Sequence, residues 1–296
     1  CSIVFYLYIM QAKSIPSKIK SLLDLIRFNK PIGFTLLVWP CWFALASLPI
    51  NSLKNLKWYF FFFIGAFLMR SAGCIINDLV DIKIDKNVER TSKRPLVIKS
   101  VNIFEAIIFL ILLLIFAFIV LIQFNSKAIL IGLFSIPLIV IYPYMKRFTY
   151  WPQLALGIIF NWGILILSMQ FNGYLTSPFI LLYFGCIFWT LGYDTIYAYQ
   201  DRKDDIKNNI KSTAVLFSDQ GKKCVFSFYI IFLIILGYIG FQNSGSIASV
   251  FVIFLFLIAM GLFLSKWNLE SISSSNNYFR LNNFFGLFCF IYLIIF

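Results

Sequence analysis

Acidic and amide side chains that could bind a metal ion form a first cluster in the sequence. Asn77, Asp81 and Asp85 recur at a spacing of four, and Asp78 stands three residues before Asp81. On a helix this spacing places most of their oxygens along one face. The neighbours on that face are further acids rather than the lysines that would relieve their repulsion, which indicates a bound cation. A solvated helix end is the alternative interpretation.

A second acidic cluster follows a long apolar stretch. It contains Asp194, and then Asp201 and Asp205, which are again four residues apart. Two such clusters could hold two cations between them. Their oxygen ligands favour hard cations, and magnesium held by carboxylates together with substrate phosphates is the common arrangement of this kind. The sequence has no histidine and no CxxC pair, which makes zinc, haem and Ser-His or Cys-His chemistry poor candidates.

Basic residues surround both clusters, as an anionic substrate would require. Taken singly, each is explained by the positive charge expected in loops on one side of a membrane. Taken with the acids, they indicate a site for metal and phosphate, which points to a diphosphate substrate. These residues are Arg90, Lys93, Arg94, Lys146, Arg147, Arg202, Lys203 and Lys211.

Arg70 lies inside an apolar stretch, two helical turns before Asn77. A rise of about 1.5 Å per residue places it about 10 Å deeper on the same helix face. Because a charged group in lipid is costly, we expect Arg70 to face the interior of the protein and to meet an anion there. That anion is an aspartate or a substrate carboxylate, and snorkelling or structural pairing is the alternative.

The composition is that of a polytopic membrane protein, since 61% of residues are hydrophobic, 12% are charged and the mean hydropathy is +0.88. Continuous apolar runs lack the alternating polar face of a membrane barrel, so helices are the remaining way to span the bilayer. We therefore predict an all-α bundle of nine transmembrane helices. The nine apolar stretches are 31–49, 57–77, 103–123, 127–145, 152–171, 177–200, 223–241, 246–265 and 281–296.

The net charge of +13 would suggest nucleic-acid binding in a soluble protein, but here the basic residues sort by side of the membrane. Of the 25 lysines and arginines, 21 fall on the side of residues 1–30 and 3 on the opposite side, with Arg70 inside a span. The positive-inside rule predicts that the 21 face the cytoplasm or a mitochondrial matrix. Both acidic clusters lie on that side, and we expect the lipid bilayer, not nucleic acid, as the partner.

Residues 1–30 are predicted as a segment separate from a transmembrane domain at 31–296. Its first ten residues lack the features of a cleaved signal peptide, and Met10 is a candidate start of the native chain. The following residues predict an amphipathic interfacial helix, with a basic topology anchor as the alternative. In that helix Lys18, Lys20 and Arg27 would face headgroups while Leu22, Leu23 and Ile26 face acyl chains. Near the other end, we interpret the SSSNN segment as a solvated turn.

Several blocks resemble the UbiA superfamily of intramembrane prenyltransferases. NDLVDIKID resembles its first acidic signature, NDxxDxxxD, and DRKDD fits its second, DxxxD. KPIGFTLLVWP, YPYMKRFTYWPQLALG and the KSTA block are similar to the 4-hydroxybenzoate polyprenyltransferase branch, so that the resemblance spans residues 30–216. Nine helices is also the number typical of that superfamily. VIKSVN after KRPL and ILSMQFNG after span five depart from the pattern, but neither touches the acids.

The resemblance implies roles for individual residues. Two magnesium ions would bridge the diphosphate of a polyprenyl donor, with Asp78 and Asp194 in support. Arg70 is our candidate for binding the carboxylate of the acceptor, 4-hydroxybenzoate, and Tyr142 or Tyr193 would shield the allylic cation. The expected metal ligands are Asn77, Asp81, Asp85, Asp201 and Asp205, and the expected diphosphate ligands are Lys146, Arg147, Lys93 and Arg94.

The implied reaction joins the polyprenyl group to the ring carbon ortho to the hydroxyl of 4-hydroxybenzoate, a step of ubiquinone biosynthesis. The implied location is a bacterial or mitochondrial inner membrane. A relative that uses a naphthoate, homogentisate or haem acceptor is one alternative. A cation-coupled transporter is another, although transporters usually place such acids near the membrane midplane rather than at loop ends on one side.

Overall fold

The computed structural model describes residues 17–48 and 56–296. Within these ranges every regular element is helical and no strand occurs, so the predicted all-α class is confirmed. Two short 3₁₀ turns lie at Tyr142–Tyr144 and Ser218–Gln220. The helices are α1 (Ser17–Leu25), α2 (Ile32–Ala46), α3 (Leu56–Asp85), α4 (Ile103–Leu121), α5 (Ser126–Ile141), α6 (Met145–Phe148), α7 (Pro152–Phe160), α8 (Trp162–Asn172), α9 (Ser177–Ala198), α10 (Arg202–Lys207), α11 (Thr213–Phe217), α12 (Gly221–Ser244), α13 (Ile247–Ser265) and α14 (Ile272–Ile295).

Eight helical segments among the described residues are long and apolar enough to cross a bilayer. α2 is a shorter apolar helix of 15 residues, and residues 49–55, which follow it closely, lie outside the described ranges. Together these nine segments of the described chain match the nine predicted stretches. Two of these segments each consist of two helices with a break between them, α7 with α8 and α11 with α12. In a third, α5 continues through a 3₁₀ turn into α6.

Local sequence signals explain where several helices begin and end. Asn102 and Glu105 form a capping box at the start of α4, each side chain accepting a backbone N–H of the other at 2.8 Å. Gly173 ends α8 with a φ of +74°, a conformation that costs glycine little because it has no β-carbon. The apolar runs between such signals set the length of each span.

α9 is the central helix of the bundle, and it packs against α7, α12 and α14. Trp189 on α9 is fully buried among aromatic rings of the main core. Asn282 on α14 accepts hydrogen bonds from Trp189 Nε1 at 3.1 Å and from the Tyr229 hydroxyl of α12 at 2.7 Å. One buried amide therefore links three helices.

The break between α7 and α8 lies at Asn161, which is fully buried. Its Nδ2 donates to the backbone carbonyl of Gly157 at 2.6 Å and to Thr190 Oγ1 of α9 at 3.0 Å. The side chain thus provides a hydrogen bond to a backbone carbonyl next to the break, and buried polar groups in a membrane need such partners.

α1 is amphipathic, but its apolar side packs on protein rather than on lipid. Leu25 and Ile26 are buried in a second core formed with α3 and α4, and Leu22 and Leu23 pack against it. The prediction that Leu22, Leu23 and Ile26 face acyl chains is therefore wrong. Arg27 also does not face headgroups, since it donates to Asp78 at 2.7 Å. Residues 1–16, including the proposed start at Met10, lie outside the described ranges.

The SSSNN segment is helical and not a solvated turn. α14 begins at Ile272, with Ser271 as its N-cap, whose side chain accepts from the Ser274 backbone N–H at 3.2 Å. The last span therefore starts nine residues earlier than predicted, 272 against 281. Hydropathy missed this start because serine and asparagine at the helix entrance read as a loop.

Candidate active site

A cavity of about 1850 Å³ begins at the ends of α3 and α9 and continues into the bundle. Asn77, Asp81 and Asp85 line it from α3, because this helix continues to Asp85 rather than ending at the predicted residue 77. Asp201 and Asp205 line the same cavity from the start of α10. The structure therefore brings the two acidic clusters to one chamber.

Asp81 is fully buried and carries the closest charge pair of the first cluster. Its Oδ2 accepts from Lys146 Nζ of α6, and Arg147 Nη2 lies 3.9 Å from its Oδ1. Asp81 Oδ1 itself has no hydrogen-bond partner among the described residues. A backbone bond from Lys211 to the carbonyl of Lys146, at 3.0 Å, ties α6 to the loop that follows α10.

Two arginines bridge the other acids of this cluster. Arg94 Nη1 lies 2.6 Å from Asp85 Oδ2 and 3.0 Å from Asp78 Oδ1, and Arg27 donates to the same Asp78 oxygen. Arg94 is held near by the turns after α3, where Thr91 Oγ1 donates to the Asp85 carbonyl at 3.0 Å. Asp78 is not among the cavity-lining residues, so its role here is to position Arg27 and Arg94.

The second cluster is bound to the loop after α3. Arg90 holds Asp201 through two nitrogens, with Nε 2.7 Å from Oδ1, and its Nη1 donates to the Tyr197 hydroxyl at 2.6 Å. Asp205 is buried and accepts from Ser212 Oγ of the KSTA block at 3.1 Å. Burial, with a smaller contribution from the neighbouring carboxylate of Asp201, raises the pKa of Asp205 to about 7.

The chemistry of these donors fits a hard divalent cation. Carboxylate and amide oxygens face one chamber, and one buried carboxylate oxygen, Asp81 Oδ1, has no hydrogen bond in the described chain. In residues 17–48 and 56–296, however, no three acids converge closely enough to form a complete cage. Three of the cavity acids instead pair with Lys146, Arg94 and Arg90.

Deeper polar residues lie where the chamber enters the membrane. Arg70, Tyr142, Tyr193 and Asp194 all line the cavity. The Arg70 guanidinium lies over the Phe160 ring at 5.6 Å and is attracted by the charge of Asp194. It forms no hydrogen bond or ion pair with the described residues, and it lines the cavity.

Gly33, in the KPIG motif, makes room for Arg70. A β-carbon at Gly33 would lie 2.8 Å from Arg70 Nε and 2.9 Å from Nη2, both closer than normal contact. The glycine therefore allows α2 to approach the guanidinium. The glycine of this motif is thus required for steric reasons, which the sequence alone does not reveal.

The structure brings two of the four predicted diphosphate ligands to the cavity. Lys146 and Arg94 line it. Arg147 has 42% of its side chain exposed and donates to the Val80 carbonyl at 3.1 Å, outside the lining. Lys93 is exposed and also does not line the cavity. Of the other basic residues, Arg202 and Lys203 approach Glu270, at 3.4 and 3.7 Å.

Sequence reasoning missed three groups of lining residues. Arg27 was assigned to headgroups, and Arg90 was grouped with the other basic residues around the acids without a role of its own. Asn276 and Asn277 on α14 were assigned to a solvated turn and Arg280 was given no role, yet all three line the cavity. Arg280 could have been found from the sequence, because it lies beside a long apolar run. As for Arg70, a charged residue in that position is expected to face the interior of the protein.

Comparisons with known proteins agree with this arrangement. The UbiA prenyltransferase family matches residues 37–289. The chain is 46% identical over 218 residues to the mitochondrial 4-hydroxybenzoate polyprenyltransferase of Caenorhabditis elegans, a match that covers 73% of this chain and 61% of the relative. It is 39% identical to the 4-hydroxybenzoate octaprenyltransferase of Blochmanniella pennsylvanica, covering 93% of this chain and 94% of the relative.

Solved structures share the fold. A UbiA homolog from Aeropyrum pernix superposes with a TM-score of 0.70 at 20% identity, covering 89% of this chain and 97% of the homolog. A UbiA homolog from Archaeoglobus fulgidus, solved with GPP and Mg2+, gives a TM-score of 0.68 at 19% identity, covering 93% of this chain and 100% of the homolog. The family match covers most of the sequence and both acidic clusters, and the chain therefore belongs to the UbiA prenyltransferase family.

Proposed function

We propose that this protein is a magnesium-dependent 4-hydroxybenzoate polyprenyltransferase. The observation that carries the proposal is a single chamber that joins two acidic clusters and several cations at one end to an apolar interior at the other. The names of the relatives at 39–46% identity support the acceptor. The chain spans only 61% of the Caenorhabditis elegans relative, so the assignment of its activity and substrates is ours.

Magnesium is the cofactor that the donor set suits. We assign Asp81 and Asp85 to one ion and Asp201 and Asp205 to a second, with Asn77 as an amide ligand beside the first. Bound magnesium supplies positive charge that stabilises the leaving diphosphate. The Archaeoglobus homolog solved with GPP and Mg2+ supports a divalent ion, and the count of two rests on there being two clusters.

The basic partners of the acids are suited to a second task. Lys146, Arg94 and Arg90 neutralise carboxylates in the structure, and all three line the cavity. In our proposal they turn toward diphosphate oxygens when magnesium takes over the carboxylates. Negative charge on the diphosphate grows as the allylic carbon–oxygen bond breaks and the electron pair leaves with the diphosphate, and these cations would stabilise that charge. Arg147 and Lys93, outside the lining, would act at longer range as general positive charge.

Arg70 and the tyrosines act deeper in the chamber. We propose that Arg70 holds the carboxylate of 4-hydroxybenzoate through a two-pronged ion pair, which orients the ring toward the diphosphate end. Tyr142 and Tyr193 present aromatic faces that shield the allylic cation. The ring carbon ortho to the hydroxyl attacks this cation, and its proton then passes to the released diphosphate or to Asp194, which lines the same space.

The proposed location is an inner membrane, bacterial or mitochondrial, with the site on the cytoplasmic or matrix side. The acids lie at the ends of α3 and α9, on the side that carries 21 of the 25 basic residues. The membrane itself supplies an insoluble prenyl donor to the cavity.

An acceptor panel tests the proposal. Membranes containing the protein are incubated with magnesium, a radiolabelled polyprenyl diphosphate, and 4-hydroxybenzoate, a dihydroxynaphthoate or homogentisate in turn. We expect label to enter an aromatic product with 4-hydroxybenzoate alone, and to remain in the diphosphate when magnesium is chelated. Preferred labelling of another acceptor, with the same magnesium requirement, would contradict the acceptor while leaving the family membership intact.

A further inference from the structure

Asp205 differs from the other acids of the cavity in what holds its side chain. Asp81, Asp85 and Asp201 each form an ion pair with a lysine or an arginine. The Asp205 carboxylate is buried, and in the described part of the chain it forms no ion pair. Its hydrogen-bond donor there is Ser212, whose Oγ lies 3.1 Å from Asp205 Oδ2. A neutral hydroxyl therefore takes the place that a cation has at the other three acids.

The Ser212 hydroxyl also caps a helix. Ser212 is the N-cap of α11, and its Oγ accepts the backbone N–H of Val215 at 3.3 Å. A hydroxyl can accept from one partner and donate to another at the same time. Aspartate is an equally good N-cap, but when ionised it has no proton to donate and would set a second negative charge against Asp205. Serine thus meets two demands at this position.

Lys211, the residue before Ser212, attaches this segment to α6. Its backbone N–H donates to the Lys146 carbonyl at 3.0 Å, and its Nζ donates to the Phe148 carbonyl at 3.1 Å. α6 ends at Phe148, and the last carbonyls of a helix have no partner within that helix. Because Lys146 pairs with Asp81, the attachment links the second acidic cluster to the first.

Thr213, the residue after Ser212, attaches the segment to α7 and α9. Its backbone N–H donates to Gln153 Oε1 of α7 at 3.1 Å, and its hydroxyl shares a hydrogen bond of 2.7 Å with the hydroxyl of Thr195 on α9. All three of these side chains are buried. Ser212 is therefore held in place from both sides, so that it can orient Asp205 rather than follow it.

From these contacts we propose that Ser212 is a positioning residue, which orients the Asp205 carboxylate toward the second magnesium ion. The inference rests on the proposed function, since Asp205 is a metal ligand only in that proposal. Carboxylates that bind a metal are themselves hydrogen-bonded by groups outside the ligand set, and loss of such a group typically lowers metal affinity about ten- to hundredfold. A neutral hydroxyl orients the carboxylate without neutralising the charge that the ion needs.

Binding of Mn2+, a paramagnetic substitute for magnesium, tests the proposal without turnover. The full chain in phosphatidylcholine nanodiscs is titrated with Mn2+ in the absence of donor, and EPR measures the free ion. We expect Ser212→Ala to weaken one Mn2+ site about tenfold or more, whereas Ser212→Thr, which keeps the hydroxyl, should bind nearly as the wild type does. Ser246→Ala is the matched control, because Ser246 caps α13 with an equal distance of 3.3 Å to the Ala248 N–H but does not line the cavity.

The possible outcomes separate this inference from the proposed function. Unchanged Mn2+ affinity in Ser212→Ala, or equal losses in Ser212→Ala and Ser212→Thr, would overturn the inference. A wild type that binds no Mn2+ would contradict the proposed metal site, and the inference with it. A wild type that binds Mn2+ but transfers nothing to 4-hydroxybenzoate would contradict the proposed reaction alone.

The dependence of the transfer rate on magnesium distinguishes positioning from a general loss of structure. A misplaced ligand weakens metal binding, so the Mg2+ concentration that gives half the maximal rate should rise about tenfold in Ser212→Ala. At saturating Mg2+ the rate should return nearly to that of the wild type, because the ligand itself is still present. A rate that stays low at every Mg2+ concentration would indicate damaged packing and would overturn the inference.

Discussion

Three acids of the cavity are neutralised by cations, two of which the sequence places far away. Asp81 pairs with Lys146, Asp85 with Arg94, and Asp201 with Arg90. Burying a carboxylate without such a partner would cost several kcal/mol, on the order of 3–5 when one member of a buried pair is removed. The pairs therefore offset the cost of burying these three carboxylates.

Replacing one of these acids by its amide should abolish most of the activity. Asp81→Asn keeps the shape of the side chain but removes the charge that a magnesium ion needs. We expect transfer to fall by about one or more powers of ten, since a metal contributes several kcal/mol of charge stabilisation. The measurement is the initial rate in membranes at saturating magnesium. Asp219→Asn, at a side chain that is 87% exposed, is the control and should keep wild-type activity.

Arg70→Lys should weaken acceptor binding far more than donor binding. Lysine keeps the charge but loses the planar fork that holds a carboxylate through two hydrogen bonds. Loss of a charged hydrogen bond costs about 2 kcal/mol, so the KM for 4-hydroxybenzoate should rise roughly thirtyfold. The KM for the prenyl diphosphate, which reports on the metal end, should stay nearly constant. A larger change in the donor constant would place Arg70 in the diphosphate site.

Gly33→Ala should act through Arg70. The added methyl group would stand 2.8 Å from Arg70 Nε, so the guanidinium must shift. We expect a higher KM for 4-hydroxybenzoate, with the donor KM unchanged, and no further rise when Gly33→Ala is added to Arg70→Lys. Kinetics of the two single variants and the double variant measure this coupling. Additive effects would mean that Gly33 acts independently, through the packing of α2.

Spacing in the sequence was sufficient to find the acids but not their partners. Asn77, Asp81 and Asp85 share a helix face, so local periodicity brings them together. Arg27 and Arg90 reach the site through tertiary packing, from a segment before α2 and a loop after α3. No rule of spacing predicts which of many loop arginines turns inward, because that depends on how α1 docks on α3 and α4.

At the scale of the helices, the buried amide of Asn282 is the feature with the largest expected effect on stability. It accepts hydrogen bonds from Trp189 and Tyr229, which lie on two other helices. Asn282→Leu would leave both donors unsatisfied in the core, at a cost of about 1–3 kcal/mol for each. We expect a clearly lower midpoint of thermal unfolding in nanodiscs. Asn277→Leu, on the same helix but facing the cavity, is the matched control and should unfold at nearly the wild-type temperature.

Helix positions were predicted well where an apolar run had clear ends, and poorly where polar residues entered a helix. α4 and α13 agree with the predicted stretches to within two residues. α3 continues eight residues beyond its predicted end, and α14 starts nine residues earlier than predicted. In both cases polar side chains of these added residues face the cavity. Hydropathy therefore assigns to a loop residues that are helical and belong to the site.

For the whole molecule, the distribution of charge predicts the orientation in the membrane. A reporter fused after Asp219, between α11 and α12, should lie on the same side as both acidic clusters. A reporter fused after Phe241, near the end of α12, should lie on the opposite side. Glycosylation-site or phosphatase fusions distinguish the two compartments. Reversed labelling would place the cavity mouth on the face with 3 basic residues and would refute the predicted topology.

The number of spans and the fold class follow from hydropathy, but the arrangement of the spans does not. Apolar runs of about 20 residues identify helices, and lipid is as apolar as the side chains, so hydropathy alone does not say which faces pack together. That α9 is central depends on side-chain fit, such as Trp189 in the core, and so does the close approach of α4 to α5 where Leu121 lies over Gly132. The long cavity could therefore not be predicted from the sequence.

The most direct test of the central claim is the structure of the product made by the purified protein. The protein in nanodiscs is supplied with magnesium, octaprenyl diphosphate and ring-labelled 4-hydroxybenzoate, and the extract is analysed by mass spectrometry and NMR. We predict one product, substituted at the carbon ortho to the hydroxyl, formed by the wild type and not by a variant with both Asp81→Asn and Asp205→Asn. Product of equal amount from that double variant, or a prenyl group attached to oxygen, would contradict the account.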